Sequence, residues 1–286
     1  MATLKAIRKR IGSIRNTQQI TKAMKMVSAA KLRRAQEAVL AARPYAEKMA
    51  ALLKNLSARV SADAHPLLAG REEKKVHLLL LTADRGLCGG YNANLIRAAE
   101  GFLRSHGKEK EVQLTVVGRK GVDYFRRRKV EMADRYINVA NRPPEELAME
   151  LAEKMIAHFL QEEVDAVYIL YSRFRSALSQ IPTLERLIPV AAGGEAGEGP
   201  ATEYLYEPGL VALLASLLPK VVEVGIYRAL LEASASEQGA RMTAMDSATT
   251  NAAEMIGSLT LQMNRARQAS ITKELLEVVS TAEALK

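Results

Sequence analysis

One stretch of the chain has the residue types of a ligand-binding or catalytic turn, residues 81–92 with the sequence LTADRGLCGGYN. A glycine-rich turn after a buried strand can hold a phosphate on backbone N–H groups at a helix start. The spacing matches neither GxGxxG nor GxxxxGK followed by Ser or Thr. Cys88 is a potential nucleophile, but it has no neighbouring His in the sequence. A His that lies close to it only in the folded structure remains an alternative. The sequence therefore favours a structural role for this turn.

The remaining residue types that could do chemistry form no recognisable site. The histidines form no set that we can assign to catalysis, and no His/Cys cluster has the spacing of metal ligands. The single cysteine excludes an internal disulfide and suits a reducing compartment. No apolar run is long enough to span a membrane, and the N-terminus has no signal-peptide core. We expect a cytoplasmic, metal-free protein.

The cations of the first 34 residues are not balanced by any acid, because the first carboxylate is Glu37. The whole chain carries +9 and this stretch +10, so the remainder sums to −1 (+9 less +10). Like charges at helical spacing repel one another unless a partner neutralises them. A solvated face, nucleic acid or an acidic protein surface are the alternatives. Since the stretch has no aromatic residue to stack on bases, it does not favour single-strand binding.

A long helix is expected at each end of the chain. The first, from Thr3 to Arg59, should bend at Pro44 without ending there and extend about 85 Å. The second, from about residue 208, should extend about 115 Å. The N-terminal apolar stripe is expected to shift register partway, with the positions Leu4, Ile7, Ile11 and Ile14, then Ile20, Met24 and Val27.

The C-terminal helix alternates steps of three and four residues, the spacing of a coiled-coil seam. Two sets of seam positions are separated by a one-residue shift. They are Ile256, Leu259, Met263, Ala266 and Ser270, then Ile271, Leu275, Val278, Ala282 and Leu285. Because a globular segment separates the two helices, they must run antiparallel if they pair. The longer helix should then extend beyond the shorter.

The middle of the chain alternates apolar runs of strand length with helical patterns, which is typical of a small α/β domain. We expect strands at 76–82, 112–117, 130–139 and 164–171, and an edge strand at 178–190 interrupted by proline. The predicted fold class is α/β, with a long antiparallel coiled coil of the N- and C-terminal helices and a central Rossmann-like α/β domain. The predicted domains are residues 1–60, 74–190 and 208–286.

Five motifs in this order carry a resemblance that covers the whole chain. They are IRKRIGSIRNTQQITKAMKMVSAAKLRRAQ near the start, LTADRGLCGGYN, YLYEP before the long helix, and SEQGARMTAM with RQASITKELLEVVS near the end. Together they resemble the γ subunit of bacterial F-type ATP synthase. The resemblance implies a central rotor shaft that couples proton or sodium flow through the c-ring to ATP synthesis or hydrolysis in β. It implies a non-catalytic subunit at the cytoplasmic face of the bacterial cell membrane. The implied partners are the α and β subunits, ε and the c-ring, without nucleic acid or membrane insertion.

The resemblance also implies which residues contact the partners. The β-subunit contacts would be Met24, Lys25, Arg267, Gln268, Thr272 and Glu277. The c-ring contacts would be Lys31, Arg33, Tyr204 and Glu207. No residue is assigned to catalysis, a cofactor or a metal.

Two alternatives remain open at this point. A dinucleotide-dependent enzyme would need an acidic ribose-binding residue after the second strand, where this chain has the basic GRKG. A coiled-coil nucleic-acid-binding scaffold would explain the basic N-terminus and would bind duplex in a salt-sensitive way. Neither alternative explains why two coiled-coil helices flank one α/β domain.

Overall fold

The computed structural model describes residues 4–57, 65–190 and 209–284. The chain divides into two compact units, one formed by Met1–Ser28 with Met242–Lys286 and the other by Ala29–Arg241. In chain order the elements are α1 (Leu4–Ser57), β1 (Lys75–Leu81), α2 (Tyr91–His106), β2 (Glu111–Val117), α3 (Arg119–Arg127), β3 (Asp134–Tyr136), α4 (Pro144–Leu160), β4 (Ala166–Phe174), β5 (Gln180–Ile188) and α5 (Leu210–Ala284). The structure confirms the predicted fold class, an α/β sheet with long N- and C-terminal helices.

The second unit is built on a five-stranded sheet with the order β3-β2-β1-β4-β5. The first four strands are parallel, and β5 pairs with β4 in the antiparallel direction. Six of the seven residues of β1 are buried, and successive residues lie on opposite faces of the sheet. This burial on both faces is typical of a central parallel strand. Pro182 lies in β5, at the edge of the sheet, where its missing N–H is tolerated. The looser strand predicted at 130–139 is only three residues long.

Each face of this sheet carries its own apolar core. Helices α2 and α3 cover one face, where Leu95, Phe102 and Phe125 pack against the strands. Helices α4 and α5 cover the other face, which also receives Leu56 from α1. Apolar side chains of α5 recur there at spacings of three and four residues, at Leu214, Leu218, Val222, Ile226, Ala229 and Ala233. The buried stripe therefore turns one side of α5 into part of the domain core.

The two long helices contain a proline each and continue through it. Helix α1 has 54 residues with Pro44 inside, and α5 has 75 residues with Pro219 inside. A proline within a helix removes one backbone hydrogen bond and bends the axis. The structure agrees with the expectation that Pro44 does not end the N-terminal helix.

In the first unit, α1 and α5 run antiparallel. Thr21 contacts Thr249, and Lys25, one turn further along α1, contacts Asp246, which lies earlier in α5. The covered positions of α5 are spaced by three and four residues without a shift, at Met242, Met245, Thr249, Ala252, Ile256, Leu259, Met263, Ala266 and Ser270. The first predicted C-terminal set lies on this seam. Residues 271–281, which include three positions of the second set, are exposed in this chain.

The predicted shift in the N-terminal stripe is wrong. Ile20 is 60% exposed and Val27 56% exposed, so neither lies on the seam. The covered positions continue the heptad spacing of the first stripe instead, at Ile7, Ile11, Ile14, Gln18, Thr21, Lys25, Ser28 and Leu32. The covered positions from Gln18 to Ser28 are therefore polar, while the apolar side chains of Ile20 and Val27 lie off the seam.

Candidate functional site

The glycine-rich turn after β1 is held by the side chain of Asp84. Its carboxylate accepts backbone N–H bonds from Arg119 (3.0 Å), Asn138 (2.9 Å) and Ala140 (3.2 Å). One acid thereby joins the turns that follow β1, β2 and β3 at the carboxyl edge of the sheet. The side chain of Asn92 accepts the N–H of Ala83 at 3.0 Å and closes the turn on itself. The carboxylate is occupied by the protein's own backbone, which supports a structural role.

Cys88 in this turn is not placed to act as a nucleophile. Its side chain is buried, and burial raises the pKa of the thiol. The amide of Asn92 donates to the sulfur at 3.2 Å, and the thiol lies 3.8 Å from the carbonyl oxygen of Arg85. Since the reactive form is the thiolate, a raised pKa keeps this cysteine in its inert form.

Helix α5 crosses the edge of the sheet where nucleotide-binding folds keep their ligand crevice. Strand order reverses at β1, so the crevice would lie beyond the ends of β1 and β4. There Tyr91 donates to the carbonyl of Ala233 (3.2 Å), and Ser236 donates to the carbonyl of Ser172 (2.8 Å). Protein packing therefore occupies this crevice.

The next turn of α5 carries a buried ion pair beside the same turn. Arg241 is 7% exposed and pairs with Glu237 at 2.6 Å. Its guanidinium also donates to the carbonyl of Gly86, at 3.4 Å. One long hydrogen bond from Arg241 thus links the turn after β1 to α5, while the ion pair with Glu237 holds the arginine in place within the helix. The sequence did not reveal this contact, because the two segments are separated by about half of the chain.

The buried His77 belongs to a structural network. Its ring lies 5.5 Å from the ring of His158, and its Nε2 lies 2.8 Å from the hydroxyl of Thr115. Burial, and then the charge of His158, lowers the pKa of His77 to about 4. His158 in turn contacts Glu163 at 2.5 Å. The neutral His77 has hydrogen-bond partners inside the domain and no opening to a substrate.

Of the first pair of sequence-predicted contact residues, Lys25 lies on the seam of the first unit and Met24 lies beside it. Met24 is half-buried, and the ammonium of Lys25 lies 2.6 Å from the carboxylate of Asp246. The two side chains of this ion pair are 42% and 55% exposed. Lys25 keeps further N–H donors for another acceptor, because an ammonium has three.

The second group of predicted contact residues lies on the exposed part of α5. Arg267, Gln268, Thr272 and Glu277 are all exposed. At about 100° per residue, Gln268 and Thr272 share one face and Glu277 lies on the opposite side from Gln268. Glu277 pairs with Lys273 at 3.5 Å. The structure thus brings together Gln268 and Thr272 but not the whole predicted set.

The predicted c-ring contacts divide into two groups. Lys31 and Arg33 are exposed on α1, and Arg33 pairs with Glu37 at 3.0 Å within the same helix. Tyr204 and Glu207 lie outside the described residues. Among residues 4–57, 65–190 and 209–284, no cluster of His, Cys, Asp and Glu could hold a metal ion. Within the same ranges no helix is apolar enough over a sufficient length to cross a membrane.

Comparison with known proteins gives matches over essentially the whole chain. The family model described as ATP synthase matches residues 3–285. The chain is 53% identical to the ATP synthase gamma chain of Geotalea daltonii over 287 residues and 51% identical to that of Moorella thermoacetica over 286 residues. In both comparisons the alignment covers 100% of each chain.

Solved structures show the same fold. A chain from the mitochondrial ATP synthase of Tetrahymena thermophila, in a structure of the central stalk and c-ring, is 25% identical. The TM-score is 0.62, and the match covers 80% of this chain and 99% of that one. A chain from the Euglena gracilis mitochondrial enzyme is 20% identical with a TM-score of 0.70, covering 99% and 94%. These relatives favour a central stalk over a nucleic-acid-binding scaffold.

Proposed function

Because the chain belongs to the ATP synthase gamma chain family, we propose a division of labour in which it transmits rotation and other subunits perform the chemistry. The chain is the central rotor shaft of an F-type ATP synthase, and it couples ion flow to ATP synthesis or hydrolysis. The observation that carries the assignment is the antiparallel pairing of α1 and α5 along one heptad seam. Two helices from opposite ends of a chain then act as one rod.

The shaft acts by making different contacts with identical sites. In the family it stands inside a ring of three pairs of α and β subunits, and a single asymmetric rod cannot touch three sites alike. Each catalytic site is therefore biased towards a different conformation by its contact free energy with the shaft. When the rod turns, each catalytic site comes to favour the conformation that another site favoured before. Rotation and catalysis are therefore coupled in both directions.

The chain itself carries no catalytic residue in this proposal, and catalysis belongs to β. The occupied crevice above β1 and the inert thiol of Cys88 support this reading. The carboxylate of Asp84 is likewise occupied by three backbone N–H groups. The α/β domain then serves for contacts with neighbouring subunits.

Contacts with β lie at two levels of the helix pair in this proposal. Met24 and Lys25 form the first, and Arg267, Gln268, Thr272 and Glu277 form the second. Along α5, Arg267 is 21 residues from Asp246, the partner of Lys25, which corresponds to about 30 Å. An arginine, an amide and a hydroxyl can form and release hydrogen bonds as the rod turns.

The other end of the shaft contacts the c-ring through Lys31, Arg33, Tyr204 and Glu207, and the chain also binds ε. The protein is part of a membrane-associated complex, and we place it on the cytoplasmic face of the cell membrane as a peripheral subunit. A cysteine at Tyr204 or Glu207 should crosslink to a cysteine in the polar loop of subunit c. Absence of a crosslink at every loop position, in a complex that still pumps, would refute this contact.

The upper β contact can be tested with a matched pair of variants in the reconstituted complex. Arg267→Ala with Gln268→Ala should lower ATPase turnover while the complex still assembles. Gln262→Ala with Arg265→Ala removes the same side-chain types from exposed positions of the same helix. We expect this control to have the smaller effect. Equal turnover of both variants and the native complex would refute the contact at Arg267 and Gln268.

A further inference from the structure

The seam between α1 and α5 in the first unit has an apolar end and a polar centre. At the apolar end Ile7, Ile11 and Ile14 of α1 lie in the part of the seam that carries Ile256 and Met263 of α5. Ile7 and Ile14 are identical residues one heptad apart. If α1 slid by seven residues, one isoleucine would take the place of the other. Apolar contacts alone therefore do not select one register along this end of the seam.

The polar centre contains two direct contacts between the helices on successive turns. The hydroxyls of Thr21 and Thr249 lie 2.8 Å apart, and Thr21 is 8% exposed. The hydroxyl of Thr249 lies 2.7 Å from the carbonyl of Met245, and that of Thr21 lies 3.0 Å from the carbonyl of Gln18. Each hydroxyl has a single proton, so one donates across the seam and the other donates to its own helix. The second contact is the ion pair of Lys25 and Asp246 at 2.6 Å.

We propose that Thr21, Lys25, Asp246 and Thr249 form a polar key that fixes the axial register of the helix pair. In an antiparallel helix pair, the residue numbers of facing positions add up to a nearly constant value, which identifies the register. In the observed register this value is 270 for Thr21 and Thr249 and 271 for Lys25 and Asp246. A slip of one heptad would bring Thr21 opposite Ile256 in one direction and opposite Met242 in the other. The hydroxyl would lose its cross-helix partner, and Lys25 would move away from Asp246. A polar residue at a seam position specifies register in this way, at a cost in stability.

Disulfide formation in the full-length chain reports the register directly. The native cysteine is first replaced by Cys88→Ser. Cysteines at Ile14 and Ile256 should then crosslink in the observed register, because these positions sum to 270. Cysteines at Ile14 and Met263 report a slip in one direction, and cysteines at Ile7 and Ile256 report a slip in the other.

In the chain with an intact key, the slipped pairs should crosslink at least about fivefold more slowly than the native pair, a ratio typical of one lost hydrogen bond. The keyless variant combines Thr21→Val, Thr249→Val, Lys25→Met and Asp246→Leu. Its slipped pairs should crosslink faster, relative to the native pair, than they do in the chain with an intact key. Its resistance to denaturant should be unchanged or higher, because apolar groups replace polar ones on the seam.

Two further variants separate register from general stability. The exchange Lys25→Asp with Asp246→Lys keeps opposite charges facing each other, so the native register should persist. If the keyless chain does not fold, Thr21→Val with Thr249→Val preserves side-chain shape and serves in its place. A keyless chain that still crosslinks only at the native pair would overturn the proposal. Loss of register in the charge exchange would also contradict it.

A control removes an ion pair of similar length elsewhere in the chain. Arg126 and Asp123 of α3 lie 2.8 Å apart, and Arg126→Met with Asp123→Leu deletes that pair. The crosslinking ratios should stay at their native values. If this control altered the register as strongly as the keyless variant, the effect would be general and the key would be refuted.

Discussion

Among substitutions of small residues in the turns that follow β1, β2 and β3, Gly118→Ala should destabilise the central domain most. Gly118 joins β2 to α3 with a φ of +98°, which is unfavourable for a residue with a side chain. A Cβ at this position would lie 2.1 Å from the carbonyl oxygen of Thr82 and 2.7 Å from its hydroxyl. The obstructing oxygen belongs to the backbone at the end of the central strand, so it cannot rotate away.

The magnitude follows from these two terms. A φ of +98° with a ψ of +133° is a sparsely populated backbone conformation that costs an alanine about 1–3 kcal/mol. Displacing packed backbone adds a cost of the order of overpacking, about 1–3 kcal/mol. We therefore expect a loss of at least about 2 kcal/mol in the free energy of unfolding, measured by urea denaturation of the full-length chain.

Gly101→Ala is the matched control for this prediction. Gly101 lies inside α2, and a Cβ there would meet no atom within 4 Å. Alanine is favoured over glycine in a helix interior by about 1 kcal/mol, so this variant should be more stable than the native chain. Equal stability of the two alanine variants would refute the reasoning from φ and close approach.

Two other substitutions in the central domain have defined outcomes. Asp84→Ala removes the acceptor of three backbone N–H bonds and should lower the free energy of unfolding by about 2–4 kcal/mol, whereas Asp84→Asn retains an acceptor oxygen and should cost less. If Asp84→Ala lowered the free energy of unfolding less than Asp84→Asn does, this account would be contradicted. Burial lowers the pKa of His77 from 6.5 to about 4, so folding excludes a proton that the unfolded chain binds. The stability from neutral His77 is complete above pH 6.5 and should decline, by up to about 3 kcal/mol, as the pH falls towards 4. Urea denaturation at several pH values should show a weaker acid dependence in His77→Gln, and an unchanged dependence would refute the assignment.

The sequence predicted strands β1 and β4 well because each contains a short, continuous apolar run. Leu78 and Leu80 are fully buried on one face of β1, while Leu79 and Leu81 are buried on the other. The period of burial and the length of such a run leave few alternatives to a parallel strand. The long helices were predicted equally well, because the helical spacing of apolar residues continues on both sides of Pro44 and of Pro219.

The sequence did not predict where the N-terminal seam continues, because the expectation followed hydrophobicity. Ile20 and Val27 are apolar and exposed, whereas Thr21 and Ser28 are polar and buried. A polar seam can be recognised only when the residue opposite is known, and Thr249 is 228 positions away. The role of Asp84 was hidden for the same reason, since its backbone partners lie in later turns.

Direct observation of rotation tests the central claim. A bead attached to Lys108→Cys, an exposed position, in a Cys88→Ser chain would report the angle of the shaft in a complex immobilised through its catalytic ring. Our account predicts rotation in one direction during ATP hydrolysis, with three pauses in each turn that correspond to the three catalytic sites. A bead that keeps a fixed mean angle, while the same complex hydrolyses ATP at its full rate, would contradict the assignment of this chain as the rotor shaft.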